Sequence, residues 1–91
     1  MAVIIKIPHM LRQFIGDAKE ISVKSGTVSE VISEVKKNYP DLAKQILDSK
    51  DHIKGHMKLC INSGFVNNPS DYLQIVSDDQ ILKLIIPITG G

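Results

Sequence analysis

Ninety-one residues make one domain with one modest core, because at this size only about 60 to 65% of the unfolded surface is buried on folding. That leaves little room for a deep substrate pocket beside the core, which argues against an independent enzyme. Hydrophobic residues make up 43% and charged residues 23%, with four aromatics and no tryptophan, so the core is aliphatic. Eleven basic against ten acidic side chains give a net charge of +1, with lysines scattered and Arg12 the sole arginine. A nucleic-acid reader needs a basic stripe and stacking aromatics, so no nucleic-acid partner is expected. The single cysteine, Cys60, cannot form an internal disulfide, and no signal peptide or apolar run approaching 18 residues appears. A cytoplasmic protein without a membrane partner is expected.

The alternation of Val3, Ile5 and Ile7 with Ile4 and Lys6 predicts a first strand over Val3 to Pro8, its wetter face marked by lysine. His9 to Asp17 reads as a connection with one helical turn that points Leu11 and Phe14 inward. Ala18 to Val23 reads as a second strand, most simply antiparallel to the first. Ser25 and Gly26 break it. Thr27 and Glu30 then form a capping box, and Val28, Val31, Ile32, Val35 and Tyr39 keep the helical period until Asn38 and Pro40 end it. A shorter helix is expected over Asp41 to Leu47, burying Leu42, Ile46 and Leu47, and the polar run from Asp48 to His56 reads as an exposed loop.

Lys58 to Ile61 predicts a strand with Leu59 and Ile61 inward and Lys58 and Cys60 outward. Asn62, Ser63 and Gly64 form a turn tolerant of positive φ, and Phe65 and Val66 resume a short strand. After a loop over Asn67 to Asp71, Tyr72, Leu73, Ile75 and Val76 are expected to re-enter the core, and Ser77 to Gln80 turn the chain into a last strand. That strand begins at Ile81 and is broken only by Lys83, which suits a central position, parallel to the first strand through the helical crossover. Lys83 shares a face with Ile85, while Leu82, Leu84 and Ile86 face the helix. The order predicts an α+β fold: a β-grasp roll with a mixed sheet of four to five strands, one main helix and one short helix, over residues 1–91.

Pro87 lacks the N–H that a continuing ladder requires, so Ile88, Thr89, Gly90 and Gly91 are expected to extend about 13 Å as a tail, at about 3.3 Å per residue. Two glycines carry no Cβ, so such a tail enters a slot too narrow for other residues and presents a carboxylate for chemistry.

These features together resemble the ubiquitin-like sulfur carriers, the family of the molybdopterin synthase small subunit, the thiamin sulfur carrier and the carrier of a thiocarboxylate-dependent cysteine pathway. The resemblance covers the whole chain. It rests on Leu11-Arg12, Gly26-Thr27-Val28, Ile61-Asn62, the Asp78-Asp79 turn and the terminal Pro87-Ile88-Thr89-Gly90-Gly91, of which the last is specific. Gln13 and Gln80 stand where the family often has glutamate, and Asp78 where glycine is common. The Ile7 to Arg12 segment and the length of the Asp48 to Met57 region look closer to the cysteine-pathway carrier.

The resemblance implies that an adenylating partner, using ATP and magnesium that the chain itself does not bind, activates the Gly91 carboxylate. Sulfur then displaces AMP, and the thiocarboxylate serves a sulfur-accepting biosynthetic enzyme of the cysteine, molybdopterin or thiamin type. Gly91 is then the covalent carrier, Gly90 gives clearance, and Thr89, Ile88 and Pro87 position the tail; the chain is a co-substrate with no catalytic residue of its own. Two other classes remain: a modifier forming isopeptide bonds through Gly91, and a non-covalent β-grasp interaction module.

Docking needs a surface, for which the outward sheet face offers Ile85, Lys83, Cys60, Phe65 and Ile4, an apolar patch with a charged rim. Each is also what an ordinary surface shows. His52 and His56 have the spacing of two ligands on a helix, but Gly55 and the polar context favour a solvated loop over a metal site. Cys60 is a candidate persulfide acceptor only if cations such as Lys58 and Lys83 lower its pKa. No metal site is expected.

Overall fold

The computed structural model describes residues 2–62 and 64–86. The tail residues Pro87, Ile88, Thr89, Gly90 and Gly91 lie outside the described residues, and so does Ser63 at the centre of the expected turn.

Strand β1 (Ala2–Lys6) leads into a 3-10 helix over His9–Ile15, and β2 (Glu20–Lys24) returns antiparallel to β1 with Val3 opposite Val23 and Ile5 opposite Ile21. The one-turn expectation for the connection was too short, since the 3-10 helix runs to the left-handed pair Gly16 (φ 65) and Asp17 (φ 64). Leu11 is buried and Phe14 packs partly against the core. The break at Gly26 is itself structured. Gly26–Thr27 forms a two-residue strand, β3, before α1 (Val28–Asn38).

The cap of α1 is the one the sequence expects. The Glu30 N–H donates to Thr27 Oγ1 at 3.2 Å, and the Thr27 N–H donates to Glu30 Oε1 at 2.9 Å, so two N–H groups left orphaned at the helix start are satisfied. The glycine before the cap makes room for this exchange. A Cβ on Gly26 would sit 2.8 Å from Glu30 Oε1. The Thr27 N–H is also the largest influence holding the Glu30 carboxyl below its ordinary range, ahead of the Thr27 hydroxyl.

Helix α1 buries Val28, Val31, Ile32 and Val35, ends against Pro40, and passes directly into α2 (Pro40–Ile46), which buries Leu42, Ala43 and Ile46. The segment after α2 is less open than its polarity suggests. Leu47 bridges to Ile53, Ile53 and Met57 contribute to the core, and the Asp48 carboxylate accepts the N–H groups of Lys50 at 2.8 Å and His52 at 3.1 Å. Lys36 on α1 pairs with Asp51 at 3.1 Å across this turn.

Strand β4 (Lys58–Ile61) pairs with β5 (Gly64–Phe65), Asn62 between them taking a left-handed φ of 56°. A 3-10 helix over Pro69–Leu73 is tied down where the Asp71 carboxylate accepts the Asn67 and Asn68 N–H groups, both at 2.8 Å. Short β6 (Ile75–Val76) pairs with β3, and β7 (Ile81–Ile85) closes the fold. The five-stranded sheet has the order β2-β1-β7-β4-β5, with β7 central, parallel to β1 and antiparallel to β4. This is the expected β-grasp roll, with a two-stranded β3-β6 sheet added.

A further expectation fails. Tyr72 and Val76 are buried, but Leu73 is 71% and Ile75 73% exposed. The 3-10 turn spends its inward position on Tyr72, whose hydroxyl accepts the Ile53 N–H at 2.9 Å, and the period of two along β6 turns Val76 in and Ile75 out.

Candidate functional site

Alternation along the five strands separates two faces. The inner face, built from Val3, Ile5, Ile21, Val23, Leu59, Ile61, Leu82 and Leu84, is buried under α1 and α2. Among the described residues the outer face carries no helix. Its residues are those that the period of two leaves over, and every outward residue expected for docking is among them.

On β7 the outward series is Ile81 (51% exposed), Lys83 and Ile85 (36% exposed). Register then sets the neighbours. Ile4 lies beside Ile81, Lys6 beside Lys83, Cys60 beside Lys83 on the other flank, and Lys58 beside Ile85. Phe65, 48% exposed, stands opposite Cys60 on β5. Ile4, Cys60, Phe65, Lys83 and Ile85 thus share one face of β1, β4, β5 and β7. Ile81 joins them and was missed as a candidate, although its place two residues before Lys83 would have found it. Cys60 is half-buried, and its Sγ donates to the Asn62 carbonyl at 3.5 Å.

Ile85 is the last residue of β7, and Ile86 beyond it packs partly against the core. The chain is therefore anchored on the inner face one residue before Pro87. At the end of the central strand Ile85 lies beside Lys58 on the outer face.

The two histidines separate. His52 stacks on Tyr72 with ring centroids 4.4 Å apart and 21° between planes, whereas His56 is exposed. His52 is therefore packed and not a fully solvated loop residue. Among the described residues no cluster of three or more His, Cys, Asp or Glu side chains is placed to hold a metal ion. Among them, too, no helix is long and apolar enough to cross a membrane.

No protein-family model matches the chain. It is 25% identical over 93 residues to the sulfur carrier protein CysO of Mycobacterium tuberculosis, with all of both chains covered. Among solved structures it is similar to a chain of the Amycolatopsis orientalis BexX/CysO complex, at 26% identity and a TM-score of 0.82, covering 99% of this chain and 100% of that one. It is also similar in fold to SAMP1 of Haloferax volcanii, a small archaeal modifier protein, at 16% identity and a TM-score of 0.78 with both chains fully covered.

Proposed function

Taking as premise that this chain is a ubiquitin-like protein of the sulfur-carrier type, we propose that it carries sulfur as a thiocarboxylate on Gly91. The observation that supports this most is topological: the strand leading to the Gly-Gly sequence is the central one, locked on both edges, and it emerges beside an uncovered face.

The chemistry follows from what a carboxylate cannot do. It is a poor acyl donor until one of its oxygens attacks the α-phosphorus of ATP in an adenylating enzyme, releasing pyrophosphate and forming an acyl-adenylate. Attack by a sulfide equivalent on the acyl carbon expels AMP and leaves Gly91 as a thiocarboxylate. The sulfur is then the nucleophile presented to an acceptor in a second enzyme. The partners supply ATP, magnesium and stabilisation of the developing oxyanion.

In this division of labour the chain supplies no catalytic group. Gly91 is the covalent carrier, Gly90 clears the partner's channel, and Thr89, Ile88 and Pro87 set the direction. Ile85, Lys83, Cys60, Phe65 and Ile4 dock the outer face. Incubation with an adenylating enzyme, ATP and a sulfur source tests the proposal by intact mass. Exchange of one oxygen for sulfur, lost when Gly91 is removed, is expected; an unchanged mass under conditions that load another carrier contradicts it.

A second reading, a modifier joined to protein lysines through Gly91, draws on the likeness to SAMP1, which at 16% identity is a likeness of fold. The same incubation separates the two, because a modifier yields adducts on other proteins in place of the sulfur exchange.

A further inference from the structure

The fold distributes charge unevenly in a way that its stability does not require. Outward positions of the five strands hold four lysines, Lys6, Lys24, Lys58 and Lys83, against one carboxylate, Glu20. That face is net +3 in a chain of net +1, so the remaining residues total −2. Three of the lysines gather at one end. Lys6 lies directly beside Lys83 in the β1-β7 register, and Lys58 lies beside Ile85 in the β4-β7 register.

Like charges side by side on neighbouring strands repel, and strands stand only about 4.8 Å apart. Glu20 is the register neighbour of Lys6 on β2, yet the ion pair found within 4.0 Å among the described residues is Lys36 with Asp51, on the far layer. Among the described residues none of the three lysines has a carboxylate within 4.0 Å; Lys6 and Lys83 are exposed and Lys58 is half-buried, around the apolar group of Ile85, Cys60 and Phe65.

From this we infer that Lys6, Lys58 and Lys83 form a cationic band that recognises a protein surface bearing carboxylates around an apolar contact. The inference rests on the sulfur-carrier reading for the partner's role, but the band's preference stands on its own chemistry. Apolar residues interleave with the lysines, as in a protein interface with an apolar centre and polar rim. Nucleic acid fits less well, since the face has no arginine and Phe65 as its one aromatic. The band steers encounter, so its effect is ionic-strength dependent and concentrated in the association rate.

The test is an NMR titration of the labelled full chain with three probes: a short peptide alternating leucine and glutamate, its leucine-lysine counterpart, and a short oligouridylate. The acidic peptide is expected to shift the amides of Lys6, Lys58, Cys60, Lys83 and Ile85, and to bind about tenfold more weakly at about 300 mM than at about 50 mM salt. Lys6→Glu/Lys83→Glu should abolish those shifts, Lys6→Arg/Lys83→Arg should retain them, and unchanged circular dichroism certifies the fold of each. Shifts confined to Lys36, Lys37 and Lys44, equal binding of the basic peptide, or tighter binding of the oligouridylate at this face overturns the inference. Loss of sulfur loading with acidic-peptide binding intact contradicts the sulfur-carrier reading alone. Loading with no acidic-peptide binding contradicts the band alone.

Discussion

The two faces of β7 are made from one run of five residues and do opposite things. Leu82 and Leu84 are 0% and 4% exposed, whereas Ile81, Lys83 and Ile85 lie in the open. The inner pair is dictated by packing, because a buried leucine contributes about 1.5 to 3 kcal/mol. The outer three are free of that demand, and yet they are two isoleucines and a lysine placed beside another lysine. What packing does not require on an uncovered face is where recognition is to be sought.

That contrast breaks most sharply with Leu82→Ala. The cavity it opens at the centre of the fold is expected to cost about 2 to 5 kcal/mol, and each kcal/mol lowers the melting temperature of a domain this size by about 4 to 8 °C. Lys83→Ala, one position along, should stay within about 0.5 kcal/mol of the parent. Thermal unfolding of the two variants checks the pair, and a Lys83 variant as damaged as the Leu82 one would end the distinction between the faces.

A smaller effect separates local from layered stability. Thr27→Ala removes the hydroxyl that accepts the Glu30 N–H and should cost about 1 kcal/mol in denaturant unfolding. Ile85→Ala should change stability less and weaken docking to an adenylating enzyme more, measured by titration calorimetry. Equal loss of docking in both variants would mean that the outer face has no special part in recognition.

The smallest expected effect is in pH. Backbone N–H groups hold three carboxyls below their ordinary range: Thr27 for Glu30, His52 and then Lys50 for Asp48, and Asn68 and then Asn67 for Asp71. A depressed folded pKa stabilises the charged form, so this contribution is fully present above the unfolded value and disappears as pH falls through the folded one. Stability is expected to decline below about pH 4, and Glu30→Gln/Asp48→Asn/Asp71→Asn should flatten that decline in urea unfolding curves. None of the three lies on the outer face, so docking should not follow it.

Most of this architecture is legible wherever a period has room to declare itself. Val28, Val31, Ile32 and Val35 announce α1, Thr27 and Glu30 announce its cap, and the apolar run at Ile81 announces the central strand. Strands β3 and β6 are two residues each, too short for any period, and exist because Gly26 and Val76 meet in space. The exposure of Leu73 and Ile75 could not be read from their hydrophobicity, since a 3-10 turn decides which side chain enters. Nor could the stacking of His52 on Tyr72 across 20 residues of sequence, or the burial of Met57 beside polar neighbours. The outer face itself was legible, because once the inner residues of a strand are known the outer ones follow. The cationic pairing of Lys6 with Lys83 needed the β1-β7 register, which composition and period do not contain.

The most direct measurement is the intact mass of the full chain after incubation with an adenylating enzyme, ATP and a sulfur donor, beside a chain ending at Gly90. Conversion of the full chain alone to a species with one oxygen replaced by sulfur, which a thiol-specific alkylating probe then traps at the terminus as an S-alkyl thioester, is the predicted result. Sulfur appearing equally on the shortened chain, or on Cys60 with the terminus unaltered, would contradict the account.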